Sequence, residues 1–112
     1  MSYYDQSDLQ KFPQISDLAP ELAEKFFSYY TAVTAGDSAL TSREKALIAL
    51  AVAHALKCPY CIDAYTTTCL ERGSDPQQMM EAVHISAAMA AGISLVHGVQ
   101  MQNHLRSKGV VD

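Results

Sequence analysis

Ala46-Leu47-Ile48-Ala49-Leu50-Ala51-Val52-Ala53-His54-Ala55-Leu56-Lys57-Cys58-Pro59-Tyr60-Cys61 is the stretch whose reading decides the fold, an apolar run that ends on two thiols three residues apart. The run is mainly Ala and Leu, a composition that favours helix over strand. Cys58 reads as the N-cap of a further helix, with Pro59 at N1, where its fixed φ suits a helix start and its missing N–H would have had no intrahelical partner. Cys61 is then N3. On that geometry both sulfurs face free backbone N–H groups at the positive end of the helix dipole, which favours thiolate over thiol. Residues i and i+3 lie about 5 to 6 Å apart on a helix surface, so the pair can cycle between dithiol and disulfide.

Upstream, Thr41-Ser42-Arg43-Glu44 has the form of a capping box and starts the apolar helix. That helix is apolar nearly all round, so it is expected at the buried centre of the domain, with His54 as its only interior polar residue. From Leu18 to about Ala35, Leu22, Phe26, Tyr29, Tyr30 and Val33 recur at helical intervals, and Gly36 stands at a C′ position. These aromatics read as core packing. Before them, Asp8 to Phe12 is compatible with one turn ahead of Pro13, and residues 1–17 read as an irregular N-terminal arm.

Downstream, the helix opened by the cysteines runs to Arg72, with Gly73 as its C′ residue, and Cys58, Cys61, Tyr65, Cys69 and Arg72 share one stripe. Cys69 lies about 12 Å along the axis from Cys61, too far for a disulfide in a straight helix, and reads as a small buried apolar residue. Ser74-Asp75-Pro76 caps a strongly apolar helix, Ala90-Ala91-Gly92 suggests a break, and Ile93 to about Leu105 would form a last helix. The expected fold is an all-α bundle of about five to six helices in a single domain, 1–112.

Among 112 residues, 49% are hydrophobic and 18% charged, the ordinary range for one soluble domain. A net charge of −4, with eight basic residues scattered singly, offers no track for a phosphate backbone, so no nucleic-acid partner is expected. The run from Ala46 to Leu56 is far shorter than the roughly 20 apolar residues of a bilayer span, and no membrane partner is expected either. The polar opening Met1-Ser2-Tyr3-Tyr4-Asp5-Gln6-Ser7-Asp8 is no secretory leader, and a cytoplasmic location is expected. A chain this short buries a modest fraction of its surface, so a homo-oligomer is expected to complete its apolar helices.

Cys-Pro-Tyr-Cys also occurs in glutaredoxins, but there it follows a β-strand, and no strand pattern is present here. A zinc site would use His54, Cys58 and Cys61, with a fourth ligand from Cys69, His84 or His97. There is no Gly-rich phosphate loop, and no cofactor is expected.

Three segments together, Ser42 to Ala53, Cys58-Pro59-Tyr60-Cys61-Ile62-Asp63-Ala64 and Ala91-Gly92-Ile93-Ser94-Leu95-Val96-His97-Gly98, resemble the AhpD-like alkylhydroperoxidases, which belong with the carboxymuconolactone decarboxylases. With Tyr rather than His after the C-x-x-C, the chain is most similar to the arsenosugar biosynthesis-associated peroxidase-like group. The resemblance covers Leu18 to about Gln102. It implies a helical trimer or hexamer acting as a thiol peroxidase or disulfide reductase, fed by a peroxide and by a dithiol or thioredoxin-like reductant. It further implies that Cys61 attacks the peroxide and Cys58 resolves, although helix-start chemistry in other C-x-x-C enzymes favours the first cysteine. The family's relay Glu and His fall on Ala46 and Tyr65 here, which leaves Glu44, His54 or His97 to move protons and Tyr65 to orient the substrate. The competing reading is a helical scaffold or small-molecule binding protein whose thiols are vestigial.

Overall fold

The structure, a computed structural model, describes residues 5–112. Met1 to Tyr4, part of the opening read for the absence of a leader, lie outside them. In chain order a 3-10 helix (Gln6–Asp17) precedes α1 (Pro20–Thr34), α2 (Ser42–Ala55), α3 (Pro59–Glu71) and α4 (Pro76–Ser107). No strand occurs among the described residues, and the architecture is all-α.

Local chemistry accounts for most boundaries. Thr41 Oγ1 accepts the Glu44 N–H at 3.1 Å and Glu44 Oε1 accepts the Thr41 N–H at 2.9 Å, the reciprocal pair expected at the start of α2. Asp75 and Gln78 repeat it at the start of α4, with Pro76 at the first helical position. At the other end, α2, α3 and α4 all close the same way. The residue after the C-cap takes a positive φ, and its N–H and the next one turn back onto the last carbonyls. Gly73 and Gly109 serve α3 and α4, but α2 uses Lys57, at φ 55.

α2 is the hub, packed against both α3 and α4, while α1 lies on the 3-10 helix and on α2. Ala46, Leu50, Tyr65 and Cys69 form the buried centre, with Leu47, Ala64 and Met79 against it. Arg72 crosses the base of the site, donating to the Thr34 and Ser42 carbonyls at 2.9 Å each, and so joins the end of α1 to the start of α2.

Three expectations need correction. The N-terminal arm is helical rather than irregular: Asp5 caps it by accepting the Ser7 N–H at 3.0 Å, and the Phe12 ring meets Phe27 edge-on at 5.0 Å and Phe26 at 6.1 Å. Pro13 removes one donor without ending the helix. The break at Ala90-Ala91-Gly92 is absent, because one glycine costs only about 1 kcal/mol in a helix and its neighbours are strong helix formers. Finally, α2 is buried along one face only; Ile48 and Val52 stay half exposed, since no element among the described residues covers that side.

The uninterrupted α4 also changes the reading of length. By length and composition it is the one helix among the described residues that could cross a membrane, and little of it is buried. Ile85, Met89, Ile93, Val96 and Val99 are all more or less half exposed. The Cα radius of gyration is 19.4 Å, against about 13 Å for a compact domain near this length. The accessible surface is 8600 Å², against roughly 6,000 Å² for a compact 12.2 kDa monomer.

Candidate active site

Lys57 delivers the chain from α2 directly into the thiol pair. The Cys58 N–H closes the end of α2 on the Ala53 carbonyl at 3.0 Å, while Cys58 Sγ opens α3 by accepting the Cys61 N–H at 3.3 Å. One residue therefore caps two helices. The two sulfurs stand 2.8 Å apart, both as free, partly buried thiols. Burial, followed by the neighbouring Cys58 sulfur, pushes the Cys61 thiol up to about 11, so Cys61 holds its proton at neutral pH.

Two cavities meet at this pair. A groove of about 340 Å³ runs between α1, α2 and α3, walled by Val33, Leu40, Ile48, Val52 and Leu56. A cleft of about 580 Å³ opens on the other side, under the 3-10 helix, walled by Leu9, Phe12, Ile15 and Phe26. Tyr30, Cys58, Cys61 and Tyr65 line both. Between the cavities the Tyr30 and Tyr65 hydroxyls are hydrogen-bonded to each other. Burial, and then the bond to Tyr65, hold the Tyr30 phenol above its ordinary range.

Of the residues picked out from sequence, Cys58, Cys61 and Tyr65 come together. Ala46 and Tyr65, the positions where the resemblance puts Glu and His, belong to one buried cluster. Glu44 does not join them. Its carboxylate is held in the capping box at the start of α2, ten residues and about 15 Å of helix before His54. His54 turns back along its own helix, its Nδ1–H donating to the Leu50 carbonyl at 2.8 Å, and it lines neither cavity. His97 does the same on the surface of α4, against the Ile93 carbonyl at 2.6 Å. Cys69 is fully buried, and burial pushes its thiol up. Among the described residues no group of three or more His, Cys, Asp or Glu could hold a metal ion, so the alternative zinc site at His54, Cys58 and Cys61 does not assemble.

Sequence reasoning missed Tyr30 and Asp8. Periodicity put Tyr30 on the inward stripe of α1, but nothing local announces a hydroxyl partner 35 residues away. Asp8 accepts a long bond, 3.4 Å, from the hydroxyl of Tyr60 inside the thiol motif, which ties the arm to the site.

The model of the carboxymuconolactone decarboxylase family matches residues 20–102, which takes in α1, α2, α3, most of α4 and the whole thiol site. The chain belongs to the carboxymuconolactone decarboxylase family. A crystal structure of an apo-form family protein from Legionella pneumophila is similar at a TM-score of 0.67 and 28% identity, over 84% of this chain and 88% of that one. "Uncharacterized protein 4 in cox locus" of Paracoccus denitrificans is 42% identical over 65 residues. That stretch is 58% of this chain and 59% of the relative, so the chain spans about three-fifths of the length of the curated relative it matches. The family includes enzymes, and its fold is the one seen here.

Proposed function

We propose that this protein is a thiol-dependent peroxidase or disulfide reductase in which Cys58 and Cys61 cycle between dithiol and disulfide. The observation that carries the reading is the pair of sulfurs 2.8 Å apart at a helix N-terminus, where two cavities meet. The order of attack is the reverse of that implied by the resemblance. Cys58 Sγ receives a backbone N–H, which stabilises an anion there, whereas Cys61 keeps its proton. In this scheme the Cys58 thiolate attacks the outer oxygen of a hydroperoxide. An S–O bond forms, the O–O bond breaks, and the departing alkoxide takes up a proton. The Cys61 sulfur then displaces water from the Cys58 sulfenic acid, losing its proton to give the disulfide, and an external dithiol restores both thiols by exchange.

The working unit is proposed to be a homo-oligomer, a trimer or a hexamer, in which a second copy covers the open side of α4. Roughly 2,500 Å² of accessible surface beyond that of a compact monomer falls in the range that obligate interfaces bury.

Thiol counting after stopped-flow mixing of the reduced protein with hydrogen peroxide and an organic hydroperoxide tests the reading. Rapid loss of two thiols per chain is expected, with Cys61→Ser leaving a sulfenic acid on Cys58 that a dimedone probe traps. Slow, unselective thiol loss would point instead to a binding protein built around the apolar groove.

A further inference from the structure

We infer that Tyr30 is a positioning residue whose hydroxyl holds that of Tyr65 so that the Tyr65 proton meets the oxygen leaving a hydroperoxide. The inference rests on the peroxidase reading and adds to it a residue on a different helix. It begins from what the site lacks. Of the groups that could supply a proton to a departing alkoxide, Glu44 is committed to a helix cap, and His54 and His97 each donate to a carbonyl one turn back. None of the three lines either cavity; Lys45 lines the groove and Lys11 and Tyr60 the cleft, but Lys45 Nζ donates to the Ala35 carbonyl at 3.2 Å, Lys11 is paired with Asp8 at 3.4 Å, and the Tyr60 hydroxyl donates to Asp8 at 3.4 Å. What lines both, beside the thiols, is the pair of phenols.

Their placement suits the task. Tyr65 is four residues after Cys61 on α3, the spacing that puts two side chains on one helix face about 5 to 6 Å apart. Tyr30 reaches the same point from α1, its ring steadied by Phe26 at 5.7 Å. With Tyr30 as donor, the Tyr65 oxygen is satisfied and its own proton is free to point at the cavities. Hydrogen bonds in series polarise one another, so a donation from Tyr30 makes Tyr65 a better donor in turn. Tyr30 is suited to the first position because burial and its partner keep it protonated well above neutral pH. The balance of the step is simple. As the S–O bond forms and the O–O bond breaks, the alkoxide takes the Tyr65 proton, and Tyr65 regains one from Tyr30 or from water.

Help of this kind matters in proportion to how poor the leaving group is. An alkoxide needs a proton as it departs, whereas a carboxylate does not. The test compares oxidation of the reduced protein by tert-butyl hydroperoxide and by peracetic acid in the wild type, Tyr30→Phe, Tyr65→Phe and the double variant, with iodoacetamide alkylation as a measure of thiol reactivity alone. Tyr30→Phe retains the ring and its contact with Phe26. It should slow the tert-butyl hydroperoxide reaction about tenfold, the worth of one hydrogen bond, and leave the peracetic acid and alkylation rates almost unchanged. Tyr65→Phe should show the same selectivity, and the double variant should be no slower than Tyr65→Phe alone. Equal slowing with both oxidants would mean that Tyr30 only packs, and the inference falls. A reactive wild type matched by Tyr30→Phe overturns the role of Tyr30 alone, while a wild type inert to both oxidants but readily alkylated overturns the peroxidase reading with it.

Discussion

Cys58 serves the end of one helix with its N–H and the start of the next with its sulfur, so its backbone is held by α2 and its side chain by α3. This rigidity is what a nucleophile poised against a second thiol requires. The raised Cys61 thiol makes the order of attack measurable. If Cys58 attacks, the rate of peroxide oxidation should not track the ionisation of Cys61; if Cys61 attacks, the rate should keep climbing towards about pH 11, because the reactive anion forms only as that thiol ionises. The first outcome is expected from a stopped-flow pH profile. Lys57 is the other residue with a consequence. It occupies the left-handed region where α3 and α4 have Gly73 and Gly109, and a non-glycine residue there is strained by about 1 kcal/mol. Lys57→Gly should raise the midpoint of denaturant unfolding, measured at matched protein concentration because an assembling protein's stability depends on it. A lower midpoint would show that the Lys57 side chain makes contacts worth more than the strain.

At the scale of elements, α4 is the helix that local signals mislead most. Ala90-Ala91-Gly92 reads as a stop, yet Gly92 has an ordinary helical backbone, and a Cβ built there meets nothing within 4 Å. Gly92→Ala should therefore stabilise the chain by about 1 kcal/mol in thermal or chemical unfolding. A loss would mean that another chain approaches the backbone at Gly92. The N-terminal 3-10 helix is the second such element. Its Phe12 anchor on α1 turns a segment without sequence periodicity into a wall of the larger cleft, and Asp8 ties it to Tyr60.

With a Cα radius of gyration of 19.4 Å, the chain is more extended than a compact domain near its length. Among the described residues, five helical segments with one hub leave one side of α2 and much of α4 open, and the excess surface is of the size an obligate interface removes. Multi-angle light scattering should therefore report a trimer or a hexamer at micromolar concentration. A monomeric mass in buffer combined with partition into lipid vesicles would assign the open side of α4 to a bilayer instead, since its length and composition permit that.

What the sequence determined by itself is the chemistry that acts within one turn. The capping boxes at Thr41 and Asp75, the Cys58–Pro59 helix start, the stop at Gly73 and the thiol spacing all depend on residues at most three or four apart, so their geometry is legible from the order of side chains. The family resemblance was legible for the same reason, because its segments lie on these elements. Tertiary structure alone decided the rest. Which way His54 turns, which side of α2 is covered and where the Tyr30 hydroxyl ends up depend on how α1, α3 and α4 are laid against α2. Those angles come from the sum of many weak packing contacts between residues far apart in the chain, and no local pattern encodes such a sum.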